Sequence, residues 1–248
     1  MKYMIFLSLI LILTSCSFSS DHSSTLDAAV ELADHNLSKS SVDDADDLDE
    51  IHFTELWIWE YLNEDREWKE MWAYRAPHID YWLLERQSSF GESSEMCEWV
   101  MAKPNGEYFL SYQEPEMNTP NTIDLQTVEF YDDDELSDFW KATGKTKKFG
   151  DSVHGQDVFV GEQYEVSFKG QPDPSLFYLS ITDINMNGLY YFNSLDGDIQ
   201  LPISFPLGIP NNILVLSEQT DFEYYNMKVS YRFKEISPTS YYVYLPKE

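Results

Sequence analysis

A mainly β fold, an antiparallel sandwich or barrel with one short helix behind a disordered acidic tether, is what this sequence predicts. Three observations carry that expectation. Short segments alternating large and polar residues recur from His52 to Leu245. Turns rich in Gly, Pro, Asn and Asp separate them, and β-branched and aromatic residues fill them.

The elements follow in chain order. From Ser17 to Glu50 ten acids (Asp21, Asp27, Glu31, Asp34, Asp43, Asp44, Asp46, Asp47, Asp49 and Glu50) face one base, Lys39, and the only aromatic is Phe18. Such a segment buries too little apolar surface to offset its ordering entropy, so it reads as a mobile tether. Within it Ser24–Asn36 has a helical pattern, with Ser24 as cap and Leu26, Ala29, Val30, Ala33 and Leu37 at helical spacing. So short a helix is marginal without a docking surface.

Glu55–Arg75 holds Trp57, Trp59, Trp68 and Trp72. Trp57, Tyr61, Trp68 and Trp72 approach a helical stripe, but Asn63-Glu64-Asp65 reads as a turn between two strands, and the strand reading is favoured. Glu98–Ala102 and Glu107–Gln113 flank Pro104-Asn105-Gly106, whose Asn-Gly suits a hairpin. Thr122–Tyr131 alternates as a strand. Asp132-Asp133-Asp134-Glu135 then places acids where a helix dipole favours them, predicting a short helix from Leu136 to Thr143 with Gly144 at its C-terminal end. Asp157–Lys169, Leu176–Ile184, Leu189–Asn193, Ile213–Ser217, Phe222–Lys234 and Tyr241–Leu245 read as further strands. A soft boundary at Lys145–Gly150 divides the β-rich part into residues 51–145 and 146–248.

Composition narrows the function. At 43% hydrophobic and 16% aromatic, the 248-residue chain has ample core material. Its net charge of −28 argues against nucleic acid, whose phosphates it repels, and against peripheral adhesion to anionic lipid. Cationic partners, divalent ions or solubility alone remain compatible with it.

Motifs add little catalytic signal. Asp183-Ile-Asn185-Met-Asn187-Gly188 matches the first half of a calcium loop, yet Ser194 stands where the bidentate carboxylate belongs. A type I′ turn at Asn187-Gly188 explains the same letters. Asp196-Gly197-Asp198 is a second turn. The five histidines (His22, His35, His52, His78 and His154) form no recognisable ligand pair. Nucleophile elbows, P-loops and dinucleotide fingerprints are absent. Cys97 shares a period-two face with Trp99 and Met101 and reads as a small core hydrophobe. Tyr190-Tyr191-Phe192, Tyr224-Tyr225 and Tyr241-Tyr242 place consecutive aromatics on opposite strand faces, so outward rings offer a platform for sugars or a protein. The competing reading is a two-layer sandwich whose outward tyrosines only show hydroxyls to water.

The N-terminus carries the sharpest signal. Lys2 precedes an apolar run, Tyr3–Leu13, that is about half the ~20 residues a bilayer-spanning helix needs. A basic start, a short apolar core and small residues at the cut describe an export signal. Leu13-Thr14-Ser15-Cys16 resembles the lipobox of bacterial lipoproteins, a resemblance confined to residues 1–16. It implies that residues 1–15 are removed and that Cys16 is acylated with palmitate-type chains, more than one of which firm anchoring requires. Cys97 is then left with no disulfide partner in the chain. It also implies a cell-envelope membrane location, the outer membrane in a host that has one, since Ser17 rather than Asp follows the cysteine.

The expected role is therefore a membrane-anchored, non-catalytic binding or structural module with a glycan or protein ligand. No cofactor, metal or catalytic residue is assigned. The alternatives are a glycan-active hydrolase, for which 44 acids make any one carboxylate pair uninformative, and an acidic inhibitor or immunity-type protein engaging a basic partner.

Overall fold

The computed structural model describes residues 48–89, 97–112, 122–130, 136, 138–150, 159–167, 173–195, 201–206, 208–222 and 227–246. Its strands are β1 (Leu48–Leu62), β2 (Trp68–Ala76), β3 (Tyr81–Glu85), β4 (Cys97–Ala102), β5 (Glu107–Tyr112) and β6 (Thr122–Thr127), then β7 (Trp140–Phe149), β8 (Phe159–Val166), β9 (Ser175–Ile181), β10 (Ile213–Phe222) and β11 (Met227–Pro246). Two single-turn helices are α1 (Arg86–Ser89) and α2 (Asn187–Tyr190), the latter running into a 3-10 turn, Tyr191–Ser194.

The fold is mainly β, as the alternation predicts, and every pairing is antiparallel. All eleven strands form one sheet in the order β6-β5-β4-β3-β2-β1-β11-β10-β9-β8-β7. Two meanders meet at the central pair β1–β11, and the sheet stays open between β6 and β7. Each hairpin follows from local chemistry. Asn63-Glu64-Asp65 turns between β1 and β2, with the Asn63 side chain accepting from the Glu67 N–H at 2.7 Å. Gly106 adopts φ +89° between β4 and β5, and an added Cβ would sit 2.2 Å from the Val128 carbonyl oxygen, so only glycine fits.

Each face of the sheet carries its own apolar cluster. The larger gathers Trp57, Trp59, Trp82, Tyr108, Phe177, Tyr231 and Phe233 together with Leu189–Phe192, Ile203, Phe205 and Ile209. The smaller joins Ile51, Phe53, Val243 and Leu245 to Tyr74, Ala76, Leu83 and Met101. A register irregularity between Phe53 and Glu55 separates the two along β1. Before it Ile51 and Phe53 belong to the small cluster; after it Trp57 and Trp59 belong to the large one. Bulges let long strands bend and change the surface they face. The ribbon 48–53 with 241–246 thus packs its inner side on the outer face of β2–β5.

Several expectations give way to the structure. The helix predicted from Leu136 to Thr143 is not formed, because Trp140–Phe149 is strand β7. Its Trp, Thr, Gly and Phe residues are weak helix formers, and pairing with β8 plus the Trp140–Phe177 ring contact at 5.0 Å prevail. Gly144 does take a positive φ, +74°, inside the irregularity between Ala142 and Thr146. The hairpin at Asn187-Gly188 and the strand at Leu189–Asn193 are replaced by α2 and its 3-10 turn. The helical turn buries Tyr190, Tyr191 and Phe192 together, which a strand would have set on opposite faces. Gly188 abuts Trp82 and Ala102 so closely that an added Cβ would lie 3.1 Å from each. Cys97 does not share a face with Trp99 and Met101. A bulge between Cys97 and Trp99 sends the cysteine to the large cluster and the other two to the small one. Phe222–Lys234 and Tyr241–Leu245 prove to be parts of β10 and of one continuous 20-residue β11. Leu48, Asp49 and Glu50, assigned to the tether, already pair with Tyr244–Pro246. Cys16, the Ser24–Asn36 helix, Asp196-Gly197-Asp198, His22, His35, His154 and Tyr224-Tyr225 lie outside the described residues.

The basic edge explains one clustering. Among the described residues β7 pairs only with β8, and it exposes Lys141, Lys145, Lys147 and Lys148. Lysines and a bulge on an outermost strand oppose edge-to-edge pairing with another copy. Replacing Lys145 and Lys148 by valine is expected to raise the apparent mass in light scattering with protein concentration. A mass that stays at the native value would assign edge protection to the Gly144 bulge instead.

Candidate binding surface

The ribbon has a second side, and it faces solvent. Period two sends Ile51, Phe53, Tyr241, Val243 and Leu245 inward, which leaves Glu50, His52, Tyr242 and Tyr244 outward. The register pairs His52 with Tyr242 and Glu50 with Tyr244, so the four side chains form two adjacent cross-strand rows. The His52 and Tyr242 rings stack with centroids 4.2 Å apart and planes 5° from parallel. The His52 Nε2 is held by the Ser240 hydroxyl at 3.0 Å. Tyr242 and Tyr244 remain 44% and 41% exposed. Partial desolvation, together with the Glu50 carboxylate beside it, holds the Tyr244 hydroxyl above its ordinary ionisation range.

This surface combines flat apolar faces with hydroxyl and carboxylate groups at their rims. Chemically it suits a ligand that is ring-shaped, apolar on one side and hydroxylated at its edge. The buried row beneath, Phe53 and Leu83 among it, fixes the strands that present the rings. Of the aromatic pairs singled out in the sequence, Tyr241-Tyr242 divides between the two faces as expected. Tyr190-Tyr191-Phe192 is wholly interior. Tyr244 escaped notice because it stands alone in Tyr241–Leu245, where only the strand parity reveals its direction.

The other candidates resolve differently. Glu55 and Asp80 are brought together, but around the buried Arg75 guanidinium, at 3.2 and 2.7 Å. Trp57 Nε1 also donates to Glu55 at 3.0 Å, and Arg75 lies over the Trp82 ring. That geometry commits both carboxylates to one guanidinium as structural ion-pair partners. Cys97 is buried, donates weakly to the Trp99 carbonyl, and has its thiol pushed up to about 12, first by burial and then by Glu98. It stays protonated and unreactive at neutral pH. Asn185 and Asn187 of the calcium-like motif serve α2: the Asn185 side chain accepts from the Asn187 N–H at 3.0 Å, and the Asn185 carbonyl accepts from Trp82 Nε1 at 3.0 Å. Among the described residues no three His, Cys, Asp or Glu side chains group to hold a metal. His78 is exposed in the turn after β2.

Also among the described residues, no helix is long and apolar enough to cross a membrane. No protein-family model matches the chain, and no curated protein matches it either.

Proposed function

We propose that the chain is a lipid-anchored envelope lipoprotein whose β body binds a glycan without catalysis, on the solvent side of the 48–53/241–246 ribbon. The observation that carries the binding reading is the parallel His52–Tyr242 stack, continued by the exposed Tyr244. Rigid, preordered rings lose little conformational entropy when a ligand stacks on them. The anchor rests on the Leu13-Thr14-Ser15-Cys16 lipobox. Acylation there tethers a strongly anionic body that has little affinity of its own for an anionic surface.

One expression experiment tests both halves. The full chain is expected in the membrane fraction, and Cys16→Ser is expected to move it to the soluble fraction. On a glycan array the detergent-extracted native chain is expected to give hits that Tyr242→Ala loses roughly tenfold or more, matching ~1.4 kcal/mol or more of stacking. A Cys16→Ser chain that still partitions with membranes defeats the anchor. An array without hits defeats the glycan reading.

A further inference from the structure

Beyond the ribbon, the outer face of the sheet carries a second group of solvent-accessible side chains around Trp68. Trp68, Glu70 and Trp72 of β2 share one parity with Tyr74, which belongs to the outer cluster. Glu60 pairs with Glu70 on one side and with Arg232 on the other. Trp68 is 46% exposed, and the Arg232 guanidinium lies 4.6 Å from its ring centroid. Glu60 holds that guanidinium through Nε at 2.8 Å and a terminal nitrogen at 2.7 Å. Lys234 binds Glu70 and reaches Glu60 at 4.0 Å, while Trp72 Nε1 donates to Glu70 at 2.9 Å.

We infer that this patch is a second subsite for the same ligand, so that the ligand is an uncharged polysaccharide strand rather than a short sugar; the inference rests on the glycan reading of the ribbon. Charge argues for an uncharged ligand. In a chain of net charge −28, Arg232 and Lys234 are each tied to an acid, so the patch offers no free cation to an acidic polysaccharide. Composition speaks less clearly, since the core of a protein interface lacks Lys, Glu and Asp but favours Trp and Arg, so a protein partner is an outcome the test must separate. Here Arg232 lies over the one exposed indole, and Glu60, Glu70 and Lys234 form ion pairs behind it, with Ile58 buried. The Arg232 guanidinium covers one face of the half-exposed Trp68 ring, so a sugar's apolar face would stack on the other while its hydroxyls meet the ion-paired carboxylates nearby. Position argues for length. Both groups of rings look out from the same side of the sheet, and Arg232 and Tyr242 on β11 are separated by at most about 33 Å at strand rise.

The test uses the full chain, neutral glucans and mannans as polymers, and their short fragments. Native protein is expected to bind the recognised polymer more tightly than its short fragments. Trp68→Ala is expected to lose about a hundredfold in polymer affinity, the low end of what linking two sites confers, while binding fragments as the native chain does. Tyr242→Ala is expected to weaken both. Circular dichroism checks that Trp68→Ala keeps its fold. Native-like polymer affinity in Trp68→Ala, or equal native affinity for polymer and fragments, overturns the second subsite and leaves the ribbon reading standing. Fragment and polymer binding both absent from the native chain overturns the two together, as does a protein that is captured through Trp68 with no polysaccharide bound.

Discussion

Trp57→Ala is expected to lower stability by about 3–5 kcal/mol, the range for deleting a large buried aromatic. Against a total of roughly 5–15 kcal/mol, that is a large share. The residue earns this expectation by position. It is fully buried, and its ring lies 5.4 Å from Trp82 on β3, 6.0 Å from Phe159 on β8 and 5.7 Å from Phe233 on β11. The first belongs to one meander and the other two to its counterpart, so the indole ties both halves across the central strand. Alanine leaves a cavity that three elements on different strands cannot close together. It also frees the Glu55 carboxylate from the Trp57 Nε1 hydrogen bond. Urea unfolding is expected to show a midpoint lowered by roughly 1–2 M with an unchanged slope. Trp68→Ala, on the exposed face, is expected to cost under about 1 kcal/mol, chiefly its contact with Arg232. Equal losses from the two substitutions would contradict the assignment of inner and outer faces.

How far the sequence reveals this fold depends on how many faces a strand buries. β4 and β5 are legible because Pro104-Asn105-Gly106 marks the turn and the strands around it are short. β1 and β2 are legible because Asn63-Glu64-Asp65 separates two alternating runs. β3 passes unseen: Trp82 and Leu84 enter one cluster and Leu83 the other, so Tyr81–Glu85 shows no alternation. β7 is misread because the acids before it mimic a helix start, whereas its structure comes from its neighbour β8. Local patterns carry no information about such partners. The same limit applies to Asn187-Gly188, a hairpin dipeptide spent here on packing α2 against Trp82.

The candidate surface is legible in part. Tyr241-Tyr242 announces that one ring points outward, and strand parity then assigns Tyr242. Its partner His52 lies 190 positions earlier in the chain, and only the β1–β11 register brings the two together. Arg232 and Trp68 meet in the same way, across a central strand that neither belongs to. Both groups are products of register, which in turn depends on bulges that leave no mark in composition.

Glu218→Gln is expected to make stability less dependent on pH and to raise it at neutral pH. Glu218 is a largely buried carboxyl on β10, and burial holds its ionisation above the ordinary carboxylate range. Thr220 donates to it at 2.7 Å, a bond that favours the charged form but does not offset the desolvation. Its cross-strand neighbour Tyr231 is fully buried, and the hydroxyl approaches the Glu218 carboxyl, favouring its charged form as Thr220 does without offsetting the desolvation. Burial and the nearby Glu218 carboxyl raise the Tyr231 hydroxyl in turn. Phe205 closes over Tyr231 at 5.7 Å, so water has poor access to the pair. The sign follows from linkage. A carboxyl that binds its proton more tightly in the folded chain stabilises the fold fully below the unfolded value, near 4.3. That stability is lost as pH rises through the higher folded value, where ionisation must occur inside the protein. Each tenfold difference in proton affinity between the two states is worth about 1.4 kcal/mol. Glutamine keeps the oxygen that accepts from Thr220 and removes the proton equilibrium. Many other acids titrate over the same range, so the informative quantity is the difference between native and variant urea midpoints, followed from mildly acidic to neutral pH. That difference is expected to widen in favour of the variant as pH rises. Curves that stay parallel would place the Glu218 carboxyl in contact with solvent and remove the buried-acid assignment.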